Sequence, residues 1–230
     1  MEFKNIASFK DDSLEILYCN EIDIIKHIAE SFVISELPMS TKQYTREDLV
    51  IEIEGLYNLL RNGELDKYQR SKTVKLLGNA KVGSGHNCFL KGITLNAVIK
   101  APSYWYPQMQ RYHFIDIISS QSKMHKITNM DLKAQCTNNV DQSIIDLLND
   151  LIDSYNHADE KYKEDAFRNI LANCPMGLTL TCGVFTNYLQ LLSMYNQRKN
   201  HRLQEWSKSF CGWIESLPYF KELCLGGNND

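Results

Sequence analysis

Near the C-terminus the run NQRKNHRLQEW, residues 196–206, gathers Arg198, Lys199, His201, Arg202, Gln204 and Trp206 between two apolar helical patterns. A helix–helix turn needs only a breaker and some solvation. This one carries enough hydrogen-bond donors to hold an anion. The guanidinium of Arg198 offers a rigid fork suited to a phosphate or to a pyrimidine carbonyl. A second polar concentration lies mid-chain: GSGHNCFLKG places His86 just before a strand-like segment, and YPQMQRYHF places Gln108, Arg111 and His113 just after it. The run SSQSK then adds Ser122 and Lys123. Strand ends and the loops that follow them are common places for binding groups.

Several chemistries are excluded by what is missing. GSGH is not a phosphate-cradling Walker loop, because no Gly-Lys-Ser/Thr closes it, and neither a GxGxxG fingerprint nor a GxSxG elbow occurs. His86, Cys88 and His113 match no zinc spacing, so no metal site is expected. Seven cysteines, odd in number and with no CxxC pair, argue against a disulfide framework and for a reduced, cytoplasmic compartment. A formal net charge of −3 argues against a general nucleic-acid or anionic-membrane surface, while leaving room for a local basic pocket. No apolar run approaches the length of a membrane span, and MEFKNIASFKDD lacks a signal peptide's apolar core.

The elements that must position these residues are legible in the hydrophobic pattern. With 43% hydrophobic and 23% charged residues over 230 positions, the chain suits one substantial core, and no linker or repeat divides it. Residues 1–230 are therefore read as a single domain. Helical spacing marks 21–35, 46–61 and 64–78. Segment 89–100 alternates, with Ile93, Leu95, Ala97 and Ile99 on one face, and predicts the best strand of the chain. The segment that opens QMQRYHF is read as helical at its start. Helix 141–158 carries a stripe of Ile144, Leu147, Leu148, Leu151 and Tyr155. A further helix runs from 159 to about 173, and GLTLTC is a short strand or an extended lead-in. Helices near 183–198 and 201–215 flank the opening run. On the first of these, Asn187, Gln190, Met194 and Arg198 share a side, which taken alone reads first as a solvated face. The sum is α+β: mostly helical with a small antiparallel sheet.

Taken in order, these stretches resemble the flavin-dependent thymidylate synthases. In that family a His…Phe strand leads through a proline to a Gln-x-x-Arg-His-Arg motif and then to a Ser-x-Arg loop. GHNCFLKGITLNAVIKAPSYWYPQMQRYH follows the same course, with Gln108 and Arg111 at the expected interval. Further on, NCPMGLTLTCGVFTNYLQLLSMYNQRKNHRLQEW matches with Pro175, Asn187, Arg198 and Gln204, His201 standing one place out of step. The likeness covers roughly 80–215 and leaves residues 1–79 as an N-terminal helical part. Departures are specific. Arg-His-Arg reads Arg111-Tyr112-His113, Ser-x-Arg reads Ser122-Lys123-Met124, an asparagine on the later helix is Ser193, and an arginine before the proline is Leu171.

The resemblance implies a homotetramer that methylates dUMP to dTMP, using methylenetetrahydrofolate and reduced FAD, with NADPH as co-substrate. It implies flavin contacts from His86, Arg111, His113 and Asn187. It implies nucleotide contacts from Gln108, Arg111, Ser122, Lys123, Arg198 and Gln204, with Arg198 as the catalytic arginine that polarises the uracil ring. His113 and Lys123 would stand in for the missing arginines. Two other readings stay open: a divergent relative that modifies another pyrimidine nucleotide, and a non-catalytic member that binds a nucleotide or a protein.

Overall fold

The structure is a computed structural model that describes residues 9–10, 14–36 and 43–226. Most of the N-terminal run MEFKNIASFKDD lies outside these residues. The sheet is organised by strand β3 (Thr94–Pro102), whose period-two pattern buries Leu95, Ala97, Ile99 and Ala101 on one face. Around it stand β1 (Phe9–Lys10), β2 (Glu15–Cys19), β4 (Asp116–Ser120) and β5 (Thr179–Asn187), in the order β1-β2-β3-β5-β4 and antiparallel throughout. Strands β3 and β5 pair Leu95 with Thr186, Ala97 with Val184 and Ile99 with Cys182, so their buried side chains form one continuous face. The opposite face carries Tyr18, Val98 and Phe185, and Tyr18 is 52% exposed. Every residue of the edge strand β4 is exposed.

Helix α1 (Glu21–Glu36) covers the buried face with Ile24, Ile25, Ile28 and Phe32. His27 anchors it to the sheet through an Nδ1 contact of 2.8 Å with the Thr94 carbonyl. Helix α2 (Arg46–Arg61) starts at a reciprocal cap, in which Thr45 and Asp48 each accept the other's backbone N–H. Helix α3 (Ser71–Gly78) follows, and just before it Arg70 donates to Glu36 at 3.0 Å and Glu52 at 2.8 Å, clamping α1 to α2. Three short helices come next: α4 (Tyr106–Met109), α5 (Lys123–Lys126) and α6 (Leu132–Gln135). The hairpin of α7 (Gln142–His157) and α8 (Glu160–Ala172) builds a second, smaller cluster from Ile145, Leu148, Ile152, Ile170 and Leu178. Helix α9 (Tyr188–Arg198) begins where β5 ends, with no loop between them. A π-helical turn (Glu205–Phe210) leads into α10 (Cys211–Ser216), and its Trp206 and Phe210 join Trp105 and Trp213 in the main core.

The α+β, mostly helical architecture with a small antiparallel sheet stands, but several boundaries differ from the sequence expectation. Residues 183–187, expected in a helix, complete β5, because Val184 and Thr186 complete the buried face opposite Ala97 and Leu95. The helix expected where QMQRYHF begins is the short α4, and strand β4 follows it, without an expected counterpart. Strand β2 has no periodic signature long enough to announce it. The 64–78 helix divides into a 3-10 turn (Leu65–Lys67) and α3, and Cys88–Lys91 is a 3-10 turn ahead of β3. On α7 the buried stripe is Ile145, Leu148 and Ile152, while Ile144 and Leu147 face outward. Among the described residues no helix is long and apolar enough to cross a membrane.

Candidate functional site

Arg198 is the last residue of α9, and the structure gives it a defined setting. Its Nε donates to the Tyr112 hydroxyl at 2.7 Å and its Nη1 donates to Gln108 Oε1 at 3.1 Å. Its guanidinium carbon lies 4.6 Å from the Trp206 ring centroid and 5.5 Å from that of Tyr112. A flat cation is held against an indole face, the arrangement that favours arginine over lysine. Trp206 is itself backed by Trp105, stacked at 4.5 Å, and neither ring is exposed to solvent. Beneath them the Tyr104 hydroxyl donates to the buried carboxylate of Glu205, tying the turn after β3 to the π-helical turn. Arg198 makes no ion pair among the described residues, so its charge is half-buried without a carboxylate to balance it.

His201 borders this cluster. Its Nδ1 accepts the Leu203 N–H at 3.1 Å, and its ring meets Trp206 edge-on. Partial burial, with the positive charges of Arg198 and Arg202, pushes the imidazole below its ordinary value. It is therefore neutral at pH 7, and acidification places a third positive charge beside two arginines.

A cavity of about 210 Å³ is lined by the 103–110 segment together with residues of β4, of β5 and of the turn that follows β4. Ser103, Gln110, Ser120, Gln121 and Lys123 supply its polar lining, and Tyr106 and Ile117 part of its apolar wall. Lys123 is half-buried and makes no ion pair among the described residues, so the cavity holds a cation with donors around it. Burial pushes the Tyr106 phenol far above its ordinary range, which keeps that wall neutral. Ser122 caps α5 by position, without a side-chain hydrogen bond to it.

The sequence-derived residues thus fall into distinct places. Gln108 and Arg198 meet directly. Lys123 lines the β4–β5 cavity, and Ser122 stands next to it in the chain without lining the cavity itself. Arg111 and His113 are exposed on the loop between α4 and β4, with no side-chain partner among the described residues, and their donors suit a pyrophosphate. His86 is exposed in the loop between α3 and the Cys88–Lys91 turn. Asn187 caps α9, its Oδ1 accepting the Gln190 N–H at 2.9 Å, a contact worth about 1 kcal/mol to the helix. Gln204 points to Lys208 Nζ at 3.2 Å, and no direct bond joins it to Arg198. The order and spacing of the motif residues do not pair Tyr112 and Trp206 with Arg198, although they are its two aromatic partners. The signal for them is an aromatic directly after Arg111 and another eight residues after Arg198.

No family model and no curated protein matches the sequence. Solved structures do match by shape. Flavin-dependent thymidylate synthase ThyX from Helicobacter pylori, complexed with FAD and dUMP, superposes with a TM-score of 0.51 at 12% identity. The match covers 91% of this chain and 96% of that one. The fold is flavin-dependent thymidylate synthase-like. A second structure of the Helicobacter pylori enzyme with FAD and dUMP covers 91% of this chain at 10% identity and a TM-score of 0.49. Within the thymidylate synthase-like fold of this chain, two features of local chemistry set the site. Pro107 starts the turn that presents Gln108, and the direct β5–α9 junction fixes the direction in which Arg198 leaves the sheet.

Proposed function

We propose that this protein is a flavin-dependent thymidylate synthase-like enzyme that methylates dUMP to dTMP with methylenetetrahydrofolate and reduced FAD. The observation that carries this reading is the half-buried, unbalanced guanidinium of Arg198, already oriented by Gln108, Tyr112 and Trp206. Nε and one Nη1 proton are used in these contacts, which leaves the Nη2 protons and one Nη1 proton for a ligand. A pyrimidine carbonyl gaining negative charge is a fitting acceptor, and a donor fixed in advance stabilises such charge without rearranging. Lys123 and Ser122 beside the β4–β5 cavity would take the nucleotide phosphate, together with Gln108 and Arg111. His86, Arg111 and His113 would hold the FAD, with the pyrophosphate against Arg111 and His113. Bound FAD supplies the electrons that reduce the transferred one-carbon unit to a methyl group, and NADPH is the reductant proposed for it.

The reading includes a homotetramer. Tyr18, Val98 and Phe185 leave the second sheet face uncovered, and Phe114 and Ile118 stand exposed at the β4 edge, Ile118 at 62%. An apolar face beside an open strand edge is a surface that soluble proteins cover. Light scattering is expected to give about four times the 26.6 kDa chain mass, and Ile118→Lys is expected to reduce it. A monomeric parent protein would refute a site shared between chains.

The test of the activity is direct. The purified protein is expected to carry or take up FAD, seen as flavin absorbance, and to bind dUMP by calorimetry. It is then expected to form dTMP when methylenetetrahydrofolate and NADPH are supplied. A protein that takes up FAD and a different pyrimidine nucleotide supports the divergent-relative reading, favoured by Met124 where the family motif has arginine. A protein that takes up neither FAD nor dUMP refutes the enzyme reading.

A further inference from the structure

We infer that Tyr112 is the positioning residue for Arg198, and that its hydroxyl fixes the plane of the guanidinium so that the free Nη2 edge faces a ligand oxygen. This rests on the nucleotide reading above for the identity of the ligand, and on geometry alone for the positioning.

An arginine side chain carries its rigid guanidinium on a flexible methylene stem, and a single hydrogen bond leaves the plane of that group free to swing. Two anchors on different nitrogens remove that freedom. Here Gln108 Oε1 takes Nη1 at 3.1 Å and the Tyr112 hydroxyl takes Nε at 2.7 Å, the shorter contact and the one nearer the stem. The Tyr112 hydroxyl is in turn oriented. Its proton goes to Gln197 Oε1 at 3.2 Å, and Gln197 Nε2 donates to Ser193 Oγ at 3.3 Å, one turn back on α9. With its proton engaged there, the phenol oxygen presents lone pairs to Arg198. Tyr112 is also held at its backbone, where its N–H donates to the Met109 carbonyl at 3.1 Å. Its ring packs against the main core and lies 6.4 Å from Trp206. The acceptor is therefore placed by the 106–110 turn, while Gln197 aims it from the same helix that carries Arg198. Neither partner is a carboxylate, so the clamp orients the guanidinium without neutralising it.

Tyr112→Phe removes the hydroxyl and keeps the ring, so packing and the face contact remain. The readout is hydrogen exchange of the Arg198 Nε–H by NMR in the full-length protein, with dUMP as the added probe. Exchange is expected to speed up at least tenfold in Tyr112→Phe, with the melting temperature moved little. In the parent protein it is expected to slow when dUMP is added. Gln108→Leu serves as the companion variant: it frees Nη1 and is expected to change Nε–H exchange less. Unchanged Nε–H exchange in Tyr112→Phe would overturn the positioning role, whether or not dUMP binds. Faster exchange in Tyr112→Phe, with dUMP leaving Arg198 of the parent protein unaltered, supports the positioning role and refutes the nucleotide reading.

Discussion

Replacing Arg198 by lysine is expected to lower turnover on dUMP by roughly 10²–10³-fold while weakening dUMP binding by less than about tenfold. Lysine keeps the positive charge but loses the planar fork. It cannot donate to Tyr112 and Gln108 and still present an edge to a ring carbonyl. A contact that strengthens as charge develops on the pyrimidine appears in turnover, whereas a contact equal in ground and transition states appears in affinity. Calorimetry with dUMP and steady-state dTMP formation on the same preparation separate the two. If both are unchanged, Arg198 only solvates a helix end, and the proposed function loses its central residue.

The second large effect concerns the wall behind that arginine. Trp105→Ala is expected to destabilise the protein by about 3–5 kcal/mol, because a fully buried indole is removed from a packed cluster. Trp105 touches Tyr106, Trp206 and Phe210, so the loss spreads to the ring on which Arg198 rests. For a chain of this size, the melting temperature should fall by roughly 6–20 °C at fixed protein concentration. Trp105→Phe is expected to cost much less. Among the described residues the buried Trp105 indole N–H has no hydrogen-bond partner, so the smaller ring forfeits some packing while removing an unsatisfied donor. Scanning calorimetry on both variants checks the order; equal destabilisation would mean that a contact specific to the indole, and not the volume of the ring, decides.

How much of this was legible in the sequence depends on the kind of signal. Helix α1 and strand β3 are legible in type because their apolar residues repeat over many positions at one period. Residues 183–187 read as helix in the sequence because Val184 sits at helical spacing from Tyr188 and Leu191. Only the pairing with β3, a long-range partnership, makes them a strand. Strand β4 escaped for the opposite reason: an edge strand with every residue exposed has no buried face to write into the pattern. At the site, order and interval brought Gln108 and Arg198 to attention, and the structure joins them. They did not show that Asn187 is engaged as a helix cap or that Gln204 turns to Lys208. Those outcomes depend on which backbone donor or neighbouring side chain is nearest, and sequence spacing does not encode that.

The absence of a loop between β5 and α9 restricts how this protein can vary in length. A helix turns about 100° for each residue, so one inserted residue between Thr186 and Tyr188 would swing Arg198 about a quarter-turn away from Gln108 and Tyr112. The 11 residues of α9 carry its end about 16 Å from the sheet, which magnifies any tilt at the junction. The glycine-containing stretch 79–87 has no such rigid cargo, and Gly83 and Gly85 already take positive φ values of 88° and 83° there. Insertions and deletions among descendants of this sequence should therefore collect in that loop. The span from Thr179 to Arg198 should keep its length even where its residues drift.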